Sequence, residues 1–291
     1  MNKKLGIVSG ILASSIFGGT EVLSKIVFDM GMDSMLLIVL RNVMAVPVVY
    51  LMLRIFHICA KLNIKEIKAL ILTVLFGFSP ACIFLFLAYD YIPVGHVILI
   101  HYLYPAIVVL LQTFFFKQKC SKIKWLAVIL CTAGVFFVTP LEEASHNPGA
   151  ITGVVMAVAS AIFFAAYLLG AEHTCVSEIH PLKLSFWLCI LSTLQPFFYV
   201  IVKDTFSLRF ETKAWLLLFV IMMLYSVIGF ACLQISLKNT GAVVTGIVAT
   251  LEPITALIMG IIVLHEPFNF MTIIGCVLIV SAVSMIAIAD K

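Results

Sequence analysis

Long apolar runs separated by short polar connectors make up almost the whole chain. Ten such segments can be counted, and each is about the length an α-helix needs to cross the hydrocarbon of a membrane. The segments cover 5–28, 35–56, 69–89, 94–116, 123–140, 149–170, 182–202, 214–237, 242–264 and 269–289. Helices are the expected form, because lipid offers no hydrogen-bond partner to an open backbone. The pattern predicts an all-α integral membrane protein with ten transmembrane helices.

Composition agrees with this interpretation and narrows the chemistry. The chain is 63% hydrophobic and only 11% charged, so it lacks the polar surface that a soluble domain of 291 residues needs. Its eight cysteines are scattered, with no CxxC pair, and most lie in or beside apolar segments, where cysteine behaves as a small apolar residue. We therefore expect neither disulfides nor a metal site, and no cofactor.

The distribution of Lys and Arg predicts the orientation. Thirteen of them fall on the side of the N-terminus, whereas only Lys203, Arg209 and Lys213 fall on the opposite side. The positive-inside rule then places both termini in the cytoplasm of a multi-pass protein of the cell (inner) membrane. The net charge of +4 is explained by topology and needs no nucleic-acid partner. Because the first apolar stretch runs on to Phe28, we expect a retained helix and not a cleaved signal peptide.

Two short sequence motifs recur in similar form about half a chain apart. Residues 47–54 reappear as 196–203, at an offset of 149, and 103–105 reappear as 251–253, at an offset of 148. A stripe of small residues at four-residue spacing, which lets helix backbones approach closely, also recurs at an offset of 147. The two stripes are Gly6, Gly10, Ser14 and Gly18, and Gly153, Ala157, Ala161 and Ala165. The chain is therefore interpreted as a duplicated bundle.

The duplication predicts the domain organisation. The first five-helix repeat covers 1–140, an acidic linker 141–148, and the second repeat 149–291. Because five is odd, the second repeat must enter the membrane upside down relative to the first. Inverted repeats of this kind place a substrate near the bilayer midplane, at the interface between the repeats.

Several short motifs give this pattern a family resemblance over essentially the whole chain. They are Phe17-Gly18-Gly19 with Lys25, Leu40-Arg41, Tyr102-Leu103-Tyr104-Pro105, Leu251-Glu252-Pro253 and His265-Glu266. In this order and spacing the chain resembles the drug/metabolite transporter superfamily, in its EamA-type branch. The resemblance implies a carrier of small polar metabolites, amino acids first, working in export. An importer of a small metabolite or vitamin is the alternative.

The chain departs from the family pattern at three places. Phe17 stands where the family usually has Trp, and Glu21 stands where it has an apolar residue. The basic turn Lys117-Gln118-Lys119 stands where it often has an acidic one. These departures leave the substrate open, because the first helix commonly lines the cavity in this family.

Glu252 is the first candidate for substrate binding or coupling. An ionisable group inside a membrane helix is costly and needs a reason. Its neighbour Pro253 lacks an N–H and loosens the helix. Glu252 is therefore either a substrate or proton site, or a structural carboxylate that caps freed backbone groups, and both interpretations stay open.

A second group of charges is expected near the outer surface. Glu21 and Lys25 are four residues apart, in the orientation that favours an ion pair, and Arg41 lies at the same depth as Lys25. The simpler interpretation is a neutral structural triad. The functional alternative is that Lys25 or Arg41 holds a substrate carboxylate while Glu21 suits an amine, which together would fit a zwitterion.

Further polar and aromatic residues complete the candidate site. His101 and Tyr104 share a stripe on the fourth segment, and His101 could couple proton movement to transport, although a satisfied structural histidine is the simpler interpretation. Ser14 and Phe17 are candidate cavity lining on the first helix. The remaining candidates are Tyr89, Tyr167, Gln195 and Tyr225, with Pro47, Pro105, Pro196 and Pro253 as hinge prolines.

Other functional classes fit the sequence less well. An enzyme needs reactive groups held within mutual reach, and the sequence has no HExxH motif and no pair of buried aspartates. A channel would call for rings of like residues, which are not evident. Without an ATP-binding loop, transport must draw on gradients, by proton exchange or by facilitated diffusion. The expected partners are the lipid bilayer, a small-molecule substrate and protons, in a monomer or weak homodimer.

Overall fold

The computed structural model describes residues 3–115, 117, 121–138, 149–266 and 269–289, so the predicted linker 141–148 lies outside the described residues. The helices of the first half are α1 Lys3–Asp29, α2 Ser34–Ile55, α3 Ile64–Thr73, α4 Ser79–Ala88, α5 Val94–His101, α6 Tyr104–Phe114 and α7 Lys122–Val138. Those of the second half are α8 Gly149–Glu172, α9 Pro181–Val202, α10 Thr212–Met222, α11 Phe230–Ala249, α12 Leu251–Leu264 and α13 Phe270–Ala289.

The described part of the chain is helical, without a strand, which confirms the predicted fold class. Seven helices are long and apolar enough to cross a membrane by length and composition, and 251–264 and 270–286 are shorter apolar helices. Two of these seven helices each contain a π-helical stretch between two α-helical parts: Val74–Phe78 connects α3 to α4, and Met223–Gly229 connects α10 to α11. Segments one to four and six to eight therefore correspond to helices that can cross a membrane, as in a multi-pass protein. The ninth and tenth segments contain the shorter apolar helices, and the fifth corresponds to α7.

Helix α11 contains a reversal of chain direction. Nine residues of straight α-helix rise about 13.5 Å, yet the hydroxyl oxygens of Ser236 and Thr245 lie 3.1 Å apart. The chain must therefore fold back between these residues, even though Phe230–Ala249 is helical throughout. This reversal agrees with the boundary predicted between the eighth and ninth segments, at 238–241.

Helix α1 packs against the second half of the chain. A side chain at Gly6 would meet Thr240, and one at Gly18 would meet the backbone of Ala256. Helix α1 therefore runs parallel to the ninth segment. Gly229 approaches Phe17 and Gly10 approaches Ser236, so α1 is antiparallel to the eighth segment.

Helix α8 makes the reciprocal contacts with the first half. Gly153 approaches Ile92, Gly77 approaches the backbone of Tyr167, and Gly170 approaches Thr73. The first helix of each repeat is thus exchanged into the other repeat. We call residues 3–29 and 212–264 the α1 bundle, and residues 64–114 and 149–172 the α8 bundle.

The two remaining helix pairs are related by the same symmetry. Helices α2 and α9 cross antiparallel, with the Asn42 amide donating to the Ser192 hydroxyl at 3.0 Å. Helices α7 and α13 also run antiparallel, with Gly134 against Ile279 and Gly275 against Val138. Each pair joins equivalent helices of the two repeats, as expected around a two-fold axis in the membrane plane.

The irregular parts of the backbone obey this symmetry too. The π-helical stretches begin at Val74 and Met223, which are 149 positions apart. The fourth crossing is broken at 102–103, and the ninth is broken at Thr250. Interruptions of this kind leave backbone groups free of intrahelical bonds and are frequent at functional sites.

Candidate functional site

A cavity of about 300 Å³ lies between the α1 bundle and the α8 bundle. Both bundles contribute walls, which include Tyr102 at the break of the fourth crossing and Glu252 beside the break of the ninth. Its charged and aromatic lining consists of Phe17, Glu21, Phe78, His101, Tyr102, Tyr104, Phe164, Tyr167, Tyr225, Phe230 and Glu252. The site is therefore apolar and aromatic with two carboxylates, which is the usual make-up of a small-molecule site.

The cavity extends towards one face of the bundle. It reaches Pro181, which is exposed at the start of α9. We call this the N-terminal face, because α1 begins there and α8 ends there. Towards the opposite face the two bundles are packed together: Gly95 approaches the backbone of Leu257, and Val97 is fully buried. The cavity lined by Glu21 and Glu252 therefore lies on the N-terminal side of a close contact between the bundles.

Glu266 adds a polar clamp at the closed side. This residue follows α12, and its carboxylate accepts hydrogen bonds from the backbone N–H groups of Val94, at 2.6 Å, and Gly95, at 3.3 Å. A carboxylate at the N-terminus of α5 satisfies free donors and interacts favourably with the helix dipole. Burial raises the pKa of Glu266, while the two N–H groups and Lys25 oppose that rise.

Glu252 and Tyr102 join the two helix breaks. The Tyr102 hydroxyl lies 2.9 Å from the carbonyl oxygen of Ala249 and 3.0 Å from the Glu252 carboxylate. In an unbroken helix the Ala249 carbonyl would accept from the N–H of residue 253, but that residue is proline and has none. Tyr102, in the α8 bundle, therefore donates to the carbonyl that Pro253 leaves without its helical donor in the α1 bundle.

Glu21 has a different partner from the one that the sequence suggested. Its carboxylate accepts a hydrogen bond from the Tyr89 hydroxyl at 2.9 Å. Lys25 pairs instead with Asp29 at 3.3 Å, so the predicted Glu21–Lys25 pair is wrong. Both pairings have four-residue spacing. The Asp29 side chain is 58% exposed whereas Glu21 is 5% exposed, so the ion pair at Asp29 requires less desolvation.

Arg41 is buried close to this cavity and makes no salt bridge with any described residue. Its guanidinium carbon lies 4.5 Å from the ring centroid of Tyr225 and 5.4 Å from that of Phe86. Its Nε and Nη1 atoms are buried and have no hydrogen-bond acceptor among the described residues. The predicted triad is therefore not formed, because Glu21 makes no ion pair with either Lys25 or Arg41 among the described residues.

Aromatic residues from equivalent positions of the repeats form the walls. Phe17 packs on Tyr225, with ring centroids 5.1 Å apart. Phe164, which is 147 positions further along the chain, packs on Tyr104 at 4.8 Å and on Tyr167 at 5.9 Å. His101 contacts the Ser160 hydroxyl through Nδ1 at 2.7 Å. The cavity is therefore enclosed by rings on two sides.

The model of the EamA-like transporter family matches residues 4–139 and 151–288. The chain belongs to the EamA-like transporter family. This confirms the resemblance that its motifs suggested.

The individual relatives are more distant. An uncharacterized transporter of Synechocystis sp. (sll1319) is 27% identical over 112 residues, which are 38% of this chain. The match spans about a third of the length of that curated relative, 33%. A crystal structure described only as "Crystal structure of protein" has a TM-score of 0.67 over 99% of this chain and 98% of its own, at 14% identity. It supports the fold alone.

The other predicted residues of this EamA-family chain lie around the cavity without lining it. The Ser14 hydroxyl lies 3.1 Å from the Val248 carbonyl oxygen, and the Gln195 amide donates to the Leu75 carbonyl at 2.9 Å. Tyr89 lies behind Glu21. Pro47 and Pro196 are inside α2 and α9, whereas Pro105 and Pro253 lie just after the breaks of the fourth and ninth crossings. No cluster of metal-binding residues occurs among the described residues.

Sequence reasoning missed several lining residues as candidates, namely Phe78, Phe164, Phe230 and Tyr102, and Tyr102 is the one that bridges the two bundles. The sequence did contain one signal, since Pro253 leaves the carbonyl four residues earlier without its helical donor. That reasoning identifies the acceptor, Ala249. It does not identify a donor 147 positions away, because only the packing of the two bundles brings Tyr102 to it.

Proposed function

We propose that this EamA-family protein is a secondary transporter that exports small polar metabolites, amino acids first, by alternating access. The observation that carries the proposal is the cavity itself: one aromatic pocket with two carboxylates, at the level of two symmetric helix breaks, with walls from both repeats. A site between inverted repeats can be exposed to either side by rocking one bundle against the other.

The lining favours a substrate with a cationic amine. Glu21 and Glu252 supply negative charge to a largely apolar space, and Tyr225, Phe17 and Tyr104 line it with aromatic rings, a residue type that can interact favourably with a cation. An isolated buried carboxylate is costly, so a cation or a proton in the cavity would stabilise both groups. Substrate amine and proton are therefore competitors for the same carboxylates.

Glu252 is the proposed coupling residue. The Tyr102 hydroxyl has one proton but two acceptors within reach, Ala249 and Glu252. A proton on Glu252 would let the carboxyl group donate to the tyrosine oxygen while Tyr102 donates to the backbone. When Glu252 exchanges that proton for a substrate amine, the hydrogen bond between the two bundles changes. Proton exchange for substrate follows from this arrangement, with facilitated diffusion as the outcome if Glu252 does not titrate.

The proposed orientation supports the direction of transport. The N-terminal face carries the ends of the helices that hold most Lys and Arg residues, so by the positive-inside rule it is cytoplasmic, and both termini with it. The cavity extends towards this face, as a carrier would be when loading a substrate for export. The proposed site of action is the cell (inner) membrane, as a monomer or weak homodimer whose partners are lipid, substrate and protons.

Counterflow in proteoliposomes tests the proposal. Vesicles are loaded with one unlabelled L-amino acid, and uptake of a trace of the same labelled amino acid is followed. We expect saturable uptake above the level of empty vesicles for the wild type. Glu252→Gln should abolish uptake or uncouple it from proton movement while the protein stays folded.

The matched control for this experiment is Glu178→Gln, which removes an exposed carboxyl group in the connector before α9. It should retain wild-type flux. Wild-type kinetics and proton coupling in Glu252→Gln would contradict the role of this residue, and absence of counterflow for any amino acid would contradict the proposed substrate class.

A further inference from the structure

We propose that Arg41 forms a separate carboxylate subsite, in a side pocket next to the central cavity. The proposal rests on the proposed function, because it concerns how the carrier recognises its substrate. It divides the roles left open by the sequence: Arg41 binds the acidic group, and the carboxylates of the central cavity face the amine.

The first support is the state of the Arg41 side chain. It is 5% exposed, yet its Nε and Nη1 donors have no acceptor among the described residues. Arginine stays protonated under all physiological conditions, so this buried charge cannot be removed by deprotonation. The rings of Tyr225 and Phe86 stabilise the cation but accept no in-plane hydrogen bond. Two donors of a buried cation are thus left without an acceptor among the described residues.

The second support is a small pocket that Arg41 lines. It has a volume of about 30 Å³, enough for one small group and not for a whole metabolite. Asn42, Ser192 and Ser226 provide further polar atoms in its wall. Six of its lining residues are shared with the central cavity: Phe78, Cys82, Ser185, Leu188, Tyr225 and Phe230. A substrate lying in the cavity can therefore extend one end into this pocket.

A carboxylate is the group that fits these features. It is small and planar, and its two oxygens can accept two hydrogen bonds from one guanidinium. Glu21 and Glu252 line the neighbouring central cavity and not the side pocket, which leaves the pocket without an acidic wall. A zwitterion would span both sites with its carboxylate on Arg41. Lys25 is not equivalent, because it is paired with Asp29 and lines neither space.

Ligand analogues test the subsite on the wild-type protein. Binding to the purified chain in lipid nanodiscs is measured by titration calorimetry for three series: leucine, leucinamide and isopentylamine; phenylalanine, phenylalaninamide and 2-phenylethylamine; and threonine with its amide. We expect each amino acid that binds to bind roughly 10- to 100-fold more tightly than its amide or amine, the effect of a charge-assisted pair. Equal affinities, or no binding by any amino acid of the three series, would overturn the proposal.

Substitution of Arg41 provides the second measurement. Arg41→Gln should reduce amino-acid affinity to that of the amide and leave the amide and amine affinities unchanged. Arg54→Gln, at an exposed arginine near the end of the same helix, is the matched control and should keep the wild-type ratio. An equal loss of affinity for all compounds in Arg41→Gln would assign Arg41 a structural role and overturn the subsite.

Counterflow separates this proposal from the proposed function. Amino-acid flux that is equal in wild type and Arg41→Gln would leave the transporter function standing and remove the carboxylate subsite. Absence of counterflow for all compounds of the three series would instead remove the proposed function.

Discussion

The hydroxyl of Tyr102 lies 2.9 Å from the carbonyl oxygen of Ala249, a residue 147 positions away in the other bundle. The carbonyl is available because Pro253 cannot supply the N–H of a continuous helix. The break in one repeat is therefore stabilised by a side chain at the break of the other. This contact lies at the cavity wall, beside Glu252, so the bundles are joined at the site where substrate is expected.

Tyr102→Phe should lower stability by about 1–3 kcal/mol, because the Ala249 carbonyl then loses its donor in a buried place. Thermal unfolding in detergent, followed by tryptophan fluorescence, measures the effect. Tyr91→Phe removes the hydroxyl of a tyrosine that is 40% exposed and serves as the control. Equal unfolding temperatures for the two variants would show that the Tyr102 hydroxyl does not stabilise the break.

Replacing either of two neighbouring glycines on α1 by alanine should change the stability of the protein, but in different directions. A methyl group at Gly18 would collide with the Glu252 carbonyl oxygen and lie 3.0 Å from the Ala256 nitrogen, whereas at Gly19 nothing lies within 4 Å. Gly18→Ala should destabilise the protein by about 1–3 kcal/mol through overpacking. Gly19→Ala should be neutral or stabilise it by up to about 1 kcal/mol, because alanine favours helix.

The same unfolding assay measures both glycine variants, and each serves as the other's control. If Gly18→Ala were as stable as Gly19→Ala, the close approach of α1 to the ninth crossing would be contradicted.

Glu266 should make a pH-dependent contribution to stability. Burial raises its pKa in the folded protein above the ordinary value of 4.5, so the folded state binds this proton more tightly than the unfolded state. The contribution of Glu266 to the free energy of unfolding must then increase as the pH falls from neutral towards 4.5. Glu266→Gln keeps the shape of the side chain but cannot titrate. We expect the wild type to gain stability relative to Glu266→Gln as the pH is lowered.

Unfolding temperatures of both proteins across this pH range check the sign. Glu178→Gln, at an exposed position, corrects for the general pH dependence of the chain. A wild type that loses stability relative to Glu266→Gln on acidification would mean that the N–H groups of Val94 and Gly95 outweigh burial.

The sequence predicted much of the fold for a simple physical reason. Apolar runs of membrane-spanning length must become helices in lipid, and an odd number of them per repeat inverts the second copy. Even the reversal inside α11 was visible as a polar interval at 238–241. The small-residue stripe indicated a close approach of α1, but only the structure shows that it meets the ninth crossing, where Gly18 faces Ala256.

The site was less predictable, because its partners come from distant parts of the chain. Four-residue spacing allowed Lys25 to pair with either Glu21 or Asp29, and the sequence gives no measure of burial with which to choose between them. The surroundings of Arg41 depend on Phe86 and on Tyr225 in the π-helical stretch, which are brought together only by packing. Side chains on one helix face can be grouped from sequence, whereas contacts between the bundles cannot.

Rocking of the α1 bundle against the α8 bundle is the central claim, and two pairs of spin labels measure it directly. The eight native cysteines are replaced by serine, and spin labels are attached to cysteines introduced in pairs. Distances between the labels are measured by double electron–electron resonance for Lys4 with Lys68 on the N-terminal face, and for Asp29 with Asp90 on the opposite face. Each pair joins an exposed residue of one bundle to an exposed residue of the other. On addition of an amino acid that shows counterflow, one distance should lengthen while the other shortens. Two distances that stay fixed, or that change in the same direction, would contradict alternating access around this site.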